Sequence, residues 1–182
     1  MMACATAERR TVTDFEGIFR PHMQIRRARP SDSTSIAEII VPTFREGSTY
    51  AIDPKISEAD ALTYWLAGEK ETFVVEADGV VLGTYYMRPN QAGGGRHVCN
   101  CGYMTRREAT GRGIAKTMCL HSLDHARSRG YRAMQFNFVV STNERAVKLW
   151  QSLGFEIVGR LPSAFQHPEH GFVDALVMYQ GL

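Results

Sequence analysis

The stretch NCGYMTRREATGRGIA, residues 100–115, constrains this chain more than any other. A β-rich run ends near Thr105, and Thr110-Gly111-Arg112-Gly113-Ile114-Ala115 opens a long amphipathic segment. Closely spaced glycines at a helix start remove the Cβ atoms that would hold a ligand away from the backbone. The first N–H groups of a helix lack internal partners and carry the positive end of its dipole. A strand, a glycine turn and a helix N-terminus together make an anion site, most often for phosphate or pyrophosphate. Neither G-x-G-x-x-G nor G-x-x-x-x-G-K-[S/T] is present, so a dinucleotide or P-loop reading is weak.

The segments on either side give the element order. Met23 to Ala28 alternates as a first strand, and Arg29-Pro30-Ser31-Asp32 breaks it and offers caps. Ile36, Ile39, Ile40 and Phe44 recur as one face of a helix, which Pro42 is expected to end or distort. Arg45 and Glu46 then fall in a loop running from Phe44 to Tyr50. A second helix spans Ser57 to Ala67, with Ala61, Leu62, Trp65 and Leu66 inward. Thr72 to Ala77 and Val80 to Met87 flank Asp78-Gly79, a strong hairpin signal. His97 to Thr105 is the strand before the glycine turn. The helix from Gly111 to Arg129 buries Ile114, Ala115, Met118, Cys119, Leu123 and Ala126, and Gly130 ends it. Arg132 to Val140 is a strand apolar enough for the sheet interior, and Asn143 to Leu153 is a helix. Strands Glu156 to Leu161 and Phe172 to Tyr179 are separated by the loop PSAFQHPEHG. The order β-α-α-β-β-β-α-β-α-β-β is α+β: a mixed sheet with flanking helices, one domain over 23–182 behind a polar extension at 1–22.

Composition removes several classes of function. With 182 residues and a net charge of +2, the chain has no basic run to favour a nucleic-acid role. No stretch approaches 18 apolar residues, so no membrane span is expected. The first residues lack the apolar core of a secretory signal, and a cytoplasmic setting is the expectation. Cys4, Cys99, Cys101 and Cys119 suggest no disulfide framework, and C-x-C without a second Cys/His cluster argues for reduced thiols over a metal site.

This order, with Gly113 and Ala115 after the fourth strand, resembles the GNAT family of acyl-CoA-dependent N-acetyltransferases. The family hallmark is Gln/Arg-x-x-Gly-x-Gly/Ala, from which Thr110 departs at the first fixed position. Asn143-x-x-Ala146-x-x-Leu149-Trp150-x-x-x-Gly154-Phe155 is similar to a second family segment. The resemblance covers residues 23–182. It implies a mostly antiparallel twisted sheet, splayed between strands four and five. It also implies acetyl-CoA as co-substrate, no metal, and direct transfer to an amine in a ternary complex. His97 to Asn100, Phe136 to Phe138 and Val173 to Leu176 resemble the fungal azetidine-2-carboxylate acetyltransferases and related bacterial proteins, which act on small cyclic or proline-like amino acids. That likeness implies a small-molecule amine, an amino or imino acid, as acceptor. Many relatives dimerise, so a homodimer is an expectation. A protein or peptide N-acetyltransferase and a non-catalytic acyl-CoA sensor are the alternatives.

The resemblance distributes roles. Pyrophosphate would lie on the N–H groups of Gly111, Arg112, Gly113, Ile114 and Ala115, with Arg112 adding charge or standing as a surface residue. Tyr103, Met104 and Thr105 would pair with the pantetheine arm, and an N–H near Met104 would polarise the thioester carbonyl. Asn143 would bond a pantetheine amide or cap its helix. Trp150 stands where many relatives carry a tyrosine proposed to protonate the leaving thiolate. Indole cannot do so; Trp150 is expected to pack, and the general acid is unassigned. Candidate bases are Glu46, His97, Asp174 and water. His167 and His170 read as loop residues before a base or metal site. Asn137 sits in a strand that reads as buried on both faces. An unpartnered buried amide there would cost about 1–3 kcal/mol, so it bonds backbone or faces a ligand carboxylate. Asn100 and Arg45 are further candidates for that carboxylate. A cysteine nucleophile would need a paired base, and the sequence offers none.

Overall fold

The computed structural model describes residues 23–182, so the extension read at 1–22 lies outside the described residues. Strands β1 (Gln24–Arg27), β2 (Glu71–Ala77), β3 (Val80–Pro89) and β4 (Val98–Thr105) run antiparallel to their neighbours. Asp78 and Gly79 turn β2 into β3 at φ 51° and 77°, the positive-φ pair that a two-residue hairpin demands. Strand β5 (Ala133–Val140) joins β4 in parallel. With β6 (Glu156–His167) and β7 (Gly171–Gly181) the order becomes β1-β2-β3-β4-β5-β7-β6. The expected α+β architecture, with a mostly antiparallel sheet, is the one the chain adopts.

Alternation along the strands divides the core in two. Phe73 and Val75 face helices α3 (Ile114–Ser128) and α4 (Glu144–Ser152), together with Tyr85, Cys99, Cys101 and Phe136. Val74, Tyr86 and Met104 face α1 (Ser33–Glu46) and α2 (Glu58–Leu66) on the other side. The fully buried Trp65 keeps its indole satisfied by donating to Thr84 Oγ1 at 3.0 Å, and that hydroxyl donates to the Phe73 carbonyl at 2.9 Å.

Two boundaries differ from the sequence reading. Pro42 does not end its helix; α1 continues to Glu46 and is closed by Gly47 at φ 63°. Proline removes one backbone bond, but Ile39, Ile40, Val41 and Phe44 on either side of it stay buried, and their burial outweighs that loss. Arg45 and Glu46 are therefore helical. Strand β6 runs on to His167 instead of stopping at Leu161. Pro162 and Ser163, at φ 50°, form an irregularity that the edge strand absorbs, and pairing resumes at Phe165↔Val173.

The feature that places the site is the junction of β4 and β5. Their ladder holds two pairs, Val98↔Ala133 and Cys99↔Met134. At the next position Asn100 Nδ2 donates to the Gln135 carbonyl at 2.9 Å, a side chain doing the work of a ladder bond. Beyond it the strands part. This is the splay expected between the fourth and fifth strands.

Candidate active site

The fork opens into a cleft of about 890 Å3, lined from the glycine turn through β4 and β5 to the loop between α1 and α2. Its β4 edge can be read from the pairing with β3. Asn90 N–H donates to the Val98 carbonyl and Arg106 N–H to the Leu82 carbonyl, both at 2.8 Å. Bonded residues alternate in an antiparallel ladder. Asn100, Gly102 and Met104 therefore turn their backbone to β3, whereas Cys101, Tyr103 and Thr105 turn theirs into the fork. The Tyr50 hydroxyl, donating to the Tyr103 carbonyl at 3.0 Å, reaches that free edge. The sequence reading is corrected here. Met104 N–H belongs to the ladder with Thr84, and the N–H groups that can polarise a carbonyl in the fork are those of Tyr103 and Thr105.

At one end Gly111 and Gly113 hold φ 87° and 81°, a conformation that side chains resist. Thr117 N–H makes the first helical bond, to Gly113, leaving Ile114, Ala115 and Lys116 with outward donors. Arg112 falls out of the expected row. It is exposed, it does not line the cleft, and its N–H donates to the Ala109 carbonyl at 3.3 Å. The positive charge comes instead from Lys116 and Arg145, which line the cleft and have no carboxylate partner among the described residues. Arg145 Nη2 lies 3.6 Å from where a Cβ on Gly111 would sit. Unpaired donors, two cations and a Cβ-free approach fit a pyrophosphate. Asn143 caps α4, its Oδ1 accepting from Ala146 N–H at 3.3 Å, while its amide NH2 remains for a ligand. Trp150, 8% exposed, floors the fork between Tyr103 and Phe136 at ring-centroid distances of 5.1 and 5.3 Å. It packs, as expected of an indole.

At the other end the floor is built from side chains on the α1–α2 face. Tyr86 lies across Gly102, where a Cβ would come within 2.7 Å of the ring. Tyr64 and Trp65 pack edge to face on Tyr86, and Phe44 and Tyr50 pack edge to face behind them. Arg88 and Asn100 face each other across the ladder next to this wall. Asn137 is not left unsatisfied: its Nδ2 donates to Asn90 Oδ1 at 2.7 Å, and its Oδ1 accepts from Gln135 Nε2 at 2.8 Å. The strand is half-buried there, not buried on both faces, and a bulge between Phe136 and Val139 re-aims it. Glu46 lines the rim, its side chain 53% exposed and 3.4 Å from Arg107.

Several candidates stand elsewhere. Arg45 is exposed and does not line the cleft, because the extension of α1 turns it outward. His97 bonds the Gly94 carbonyl at the far end of β4. Asp174 accepts from Ser163 N–H at 2.9 Å and pairs with Arg160 at 2.8 Å; these bonds, the Ser163 one foremost, hold its carboxyl below the usual range, so it fixes the β6 irregularity and is no base. His167 accepts two backbone N–H groups in the β6–β7 turn and stacks on His170. Cys99, Cys101 and Cys119 are buried free thiols. Burial pushes Cys101 up and Cys119 to about 12, which disfavours the thiolate of these two. No group of metal-ligating side chains occurs among the described residues. The sequence reading missed Arg145, Lys116, Tyr50, Tyr64, Tyr86 and Arg88. One signal was available: a cation in the first turn of α4 opposes the helix dipole unless an anion comes to meet it.

The family model described as the acetyltransferase (GNAT) family matches residues 34–155. Among curated proteins the chain is similar to N-acetyltransferase aca1 of Schizosaccharomyces pombe, 27% identical over 148 residues, covering 72% of this chain and 71% of that protein. Among solved structures it is similar to a GCN5-related N-acetyltransferase from Kribbella flavida, with 42% identity, TM-score 0.81, and coverage of 88% of this chain and 98% of that one. The fold also matches yncA of Salmonella typhimurium, a putative acetyltransferase solved with acetyl-CoA, at 23% identity, TM-score 0.78, and coverage of 88% and 94%. The matched segment takes in both the glycine turn and the helix that carries Trp150, and the chain belongs to the acetyltransferase (GNAT) family, with acetyl-CoA as the co-substrate that membership implies.

Proposed function

We propose that the protein moves the acetyl group of acetyl-CoA to the amine of a small molecule, an amino or imino acid, by direct attack in a ternary complex. The observation that carries the small-molecule reading is the bond from Tyr50 to the Tyr103 carbonyl. It ties the α1–α2 loop down onto the reacting strand and closes the acceptor end against a wall of aromatic rings. A peptide groove across the sheet would need that loop lifted.

In this reading the N–H groups of Gly111, Gly113, Ile114, Ala115 and Lys116 hold the pyrophosphate, and Lys116 and Arg145 balance its charge. Tyr103 and Thr105 take the pantetheine arm as an added strand, and one of their N–H groups steadies the negative charge that develops on the carbonyl oxygen. Asn143 donates to a pantetheine carbonyl, and Trp150 and Phe136 exclude water beneath the thioester. The amine nitrogen forms its bond to the acetyl carbon while the carbon–sulfur bond breaks. The ammonium proton leaves through water toward Glu46, the one carboxylate lining the cleft among the described residues. The thiolate needs no strong acid, since thiols titrate at about 8.5.

An acceptor screen with acetyl-CoA, followed by thiol release, tests the proposal. Azetidine-2-carboxylate, proline and primary amino acids should react. Turnover with peptides alone would reject the small-molecule acceptor, and absence of turnover with tight acetyl-CoA binding would favour a sensor.

A further inference from the structure

Charge is distributed unevenly along the cleft. Among the described residues its lining carries one acid, Glu46 at the rim, and three cations, Lys116, Arg145 and Arg88. Lys116 and Arg145 stand at the glycine turn, where phosphate accounts for them. Arg88 stands beside Asn100, away from the glycine turn. Its side chain makes no ion pair and no hydrogen bond among the described residues, as is also true of Arg29, Arg45, Arg112 and Arg132, but unlike those four Arg88 lines the cleft. The groups around it leave it without a counter-ion. Asn100 faces it across the ladder, and Asn90, just past the end of β3, is occupied with Asn137. Behind the Tyr64 and Tyr86 wall, Lys70 lies 4.2 and 5.0 Å from the two ring centroids and donates to the Tyr64 carbonyl. Two cations thus flank an aromatic wall with neutral amides beside it.

Resting on the small-molecule reading above, we infer that Arg88 anchors a carboxylate of the acceptor, so that the substrate is an amine bearing a carboxylate and not a simple amine. A guanidinium presents a planar fork that matches a carboxylate. The same charge works against a plain ammonium, which would meet Arg88 and Lys70 with nothing to offset them. Aromatic rings beside the anchor suit a compact, partly apolar body such as a saturated ring. Asn100, already donating to Gln135, retains its amide oxygen for the acceptor side.

The test compares kcat/KM for matched acceptors: azetidine-2-carboxylate against azetidine, and proline against prolinamide and pyrrolidine. Wild type should prefer each acid. Arg88→Ala should lower kcat/KM for the acids about 10- to 100-fold, the worth of a charged hydrogen-bonded pair. It should leave prolinamide and pyrrolidine unchanged or improved, with KM for acetyl-CoA unmoved. Arg88→Lys should recover part of the acid preference through charge alone. The exposed side chain makes misfolding an improbable confounder, and an unshifted melting midpoint checks it. An acid preference that survives Arg88→Ala would overturn the inference while leaving the small-molecule reading intact. Turnover confined to peptides would overturn both.

Discussion

The two ends of the cleft solve recognition differently. The glycine-turn end is made of backbone: unpaired N–H groups at the start of α3 and along the free edge of β4, with side chains that mostly stay out of the way. The acceptor end is made of side chains brought from α1, α2, β3, β4 and β5, and glycine appears there once, at Gly102, to let Tyr86 lie flat. A backbone site reads a ligand that is the same throughout a family; a side-chain site can be revised residue by residue. The difference should show as separable kinetic defects.

The largest effect should come from Gly113→Val. A β-branched residue resists φ 81° by about 1–2 kcal/mol and puts a side chain where phosphate belongs. KM for acetyl-CoA should rise about 10- to 100-fold with the acceptor KM little changed. Gly102→Ala is the mirror experiment. Its Cβ would sit 2.7 Å from a buried tyrosine ring, an overpacking cost of about 1–3 kcal/mol. Here the acceptor KM should rise several-fold and that for acetyl-CoA should hold; a reversal of the two patterns would break the division between the ends. Arg145→Ala should be milder, raising KM for acetyl-CoA about three- to tenfold, and added salt should narrow the gap to wild type.

The smallest effect is a pH dependence of stability. His121 Nδ1 and the Tyr85 hydroxyl are hydrogen-bonded at 2.6 Å, and burial, reinforced by His125, holds the folded pKa of His121 below the usual 6.5. The unfolded chain therefore takes up the proton first. Stability is full above about pH 6.5 and declines as pH falls from there toward the folded value. Asp32 and Glu71, held below their ordinary carboxylate range, lose their contributions only near pH 4 and below. A melting midpoint followed from pH 7.5 to 5.5 should fall in wild type and fall less in His121→Gln. Identical slopes would deny His121 this part.

What could be read from the sequence follows the same division. The glycine turn was legible because a backbone requirement leaves a mark at the position that meets it. Gly111, Gly113 and the N-cap Asn143 announce themselves locally. Tyr50, Tyr64, Tyr86 and Arg88 come from a loop, a helix and a strand, and no spacing along the chain marks them as neighbours. Asn137 was singled out for the right reason, an amide inside a strand, but Asn90 and Gln135 supply partners that only the folded sheet brings within reach. Pro42 misled because a breaker costs a fixed local amount. The burial on both sides of Pro42 decides whether the chain yields.

The fork between β4 and β5 has a further consequence. Two strand edges lie open inside the molecule, the interior counterpart of the exposed edges that sheet proteins usually cover or charge. Until something extended fills the gap, the sheet is unfinished beyond Cys99, where the β4–β5 ladder gives way to the amide of Asn100. The co-substrate is then structural mortar as well as reagent. At a concentration of 100 times Kd it should add about 2.7 kcal/mol to the folded state by mass action alone. Protection against amide exchange should rise most along Tyr103, Thr105 and β5 when acetyl-CoA is bound, with the strands away from the fork little changed.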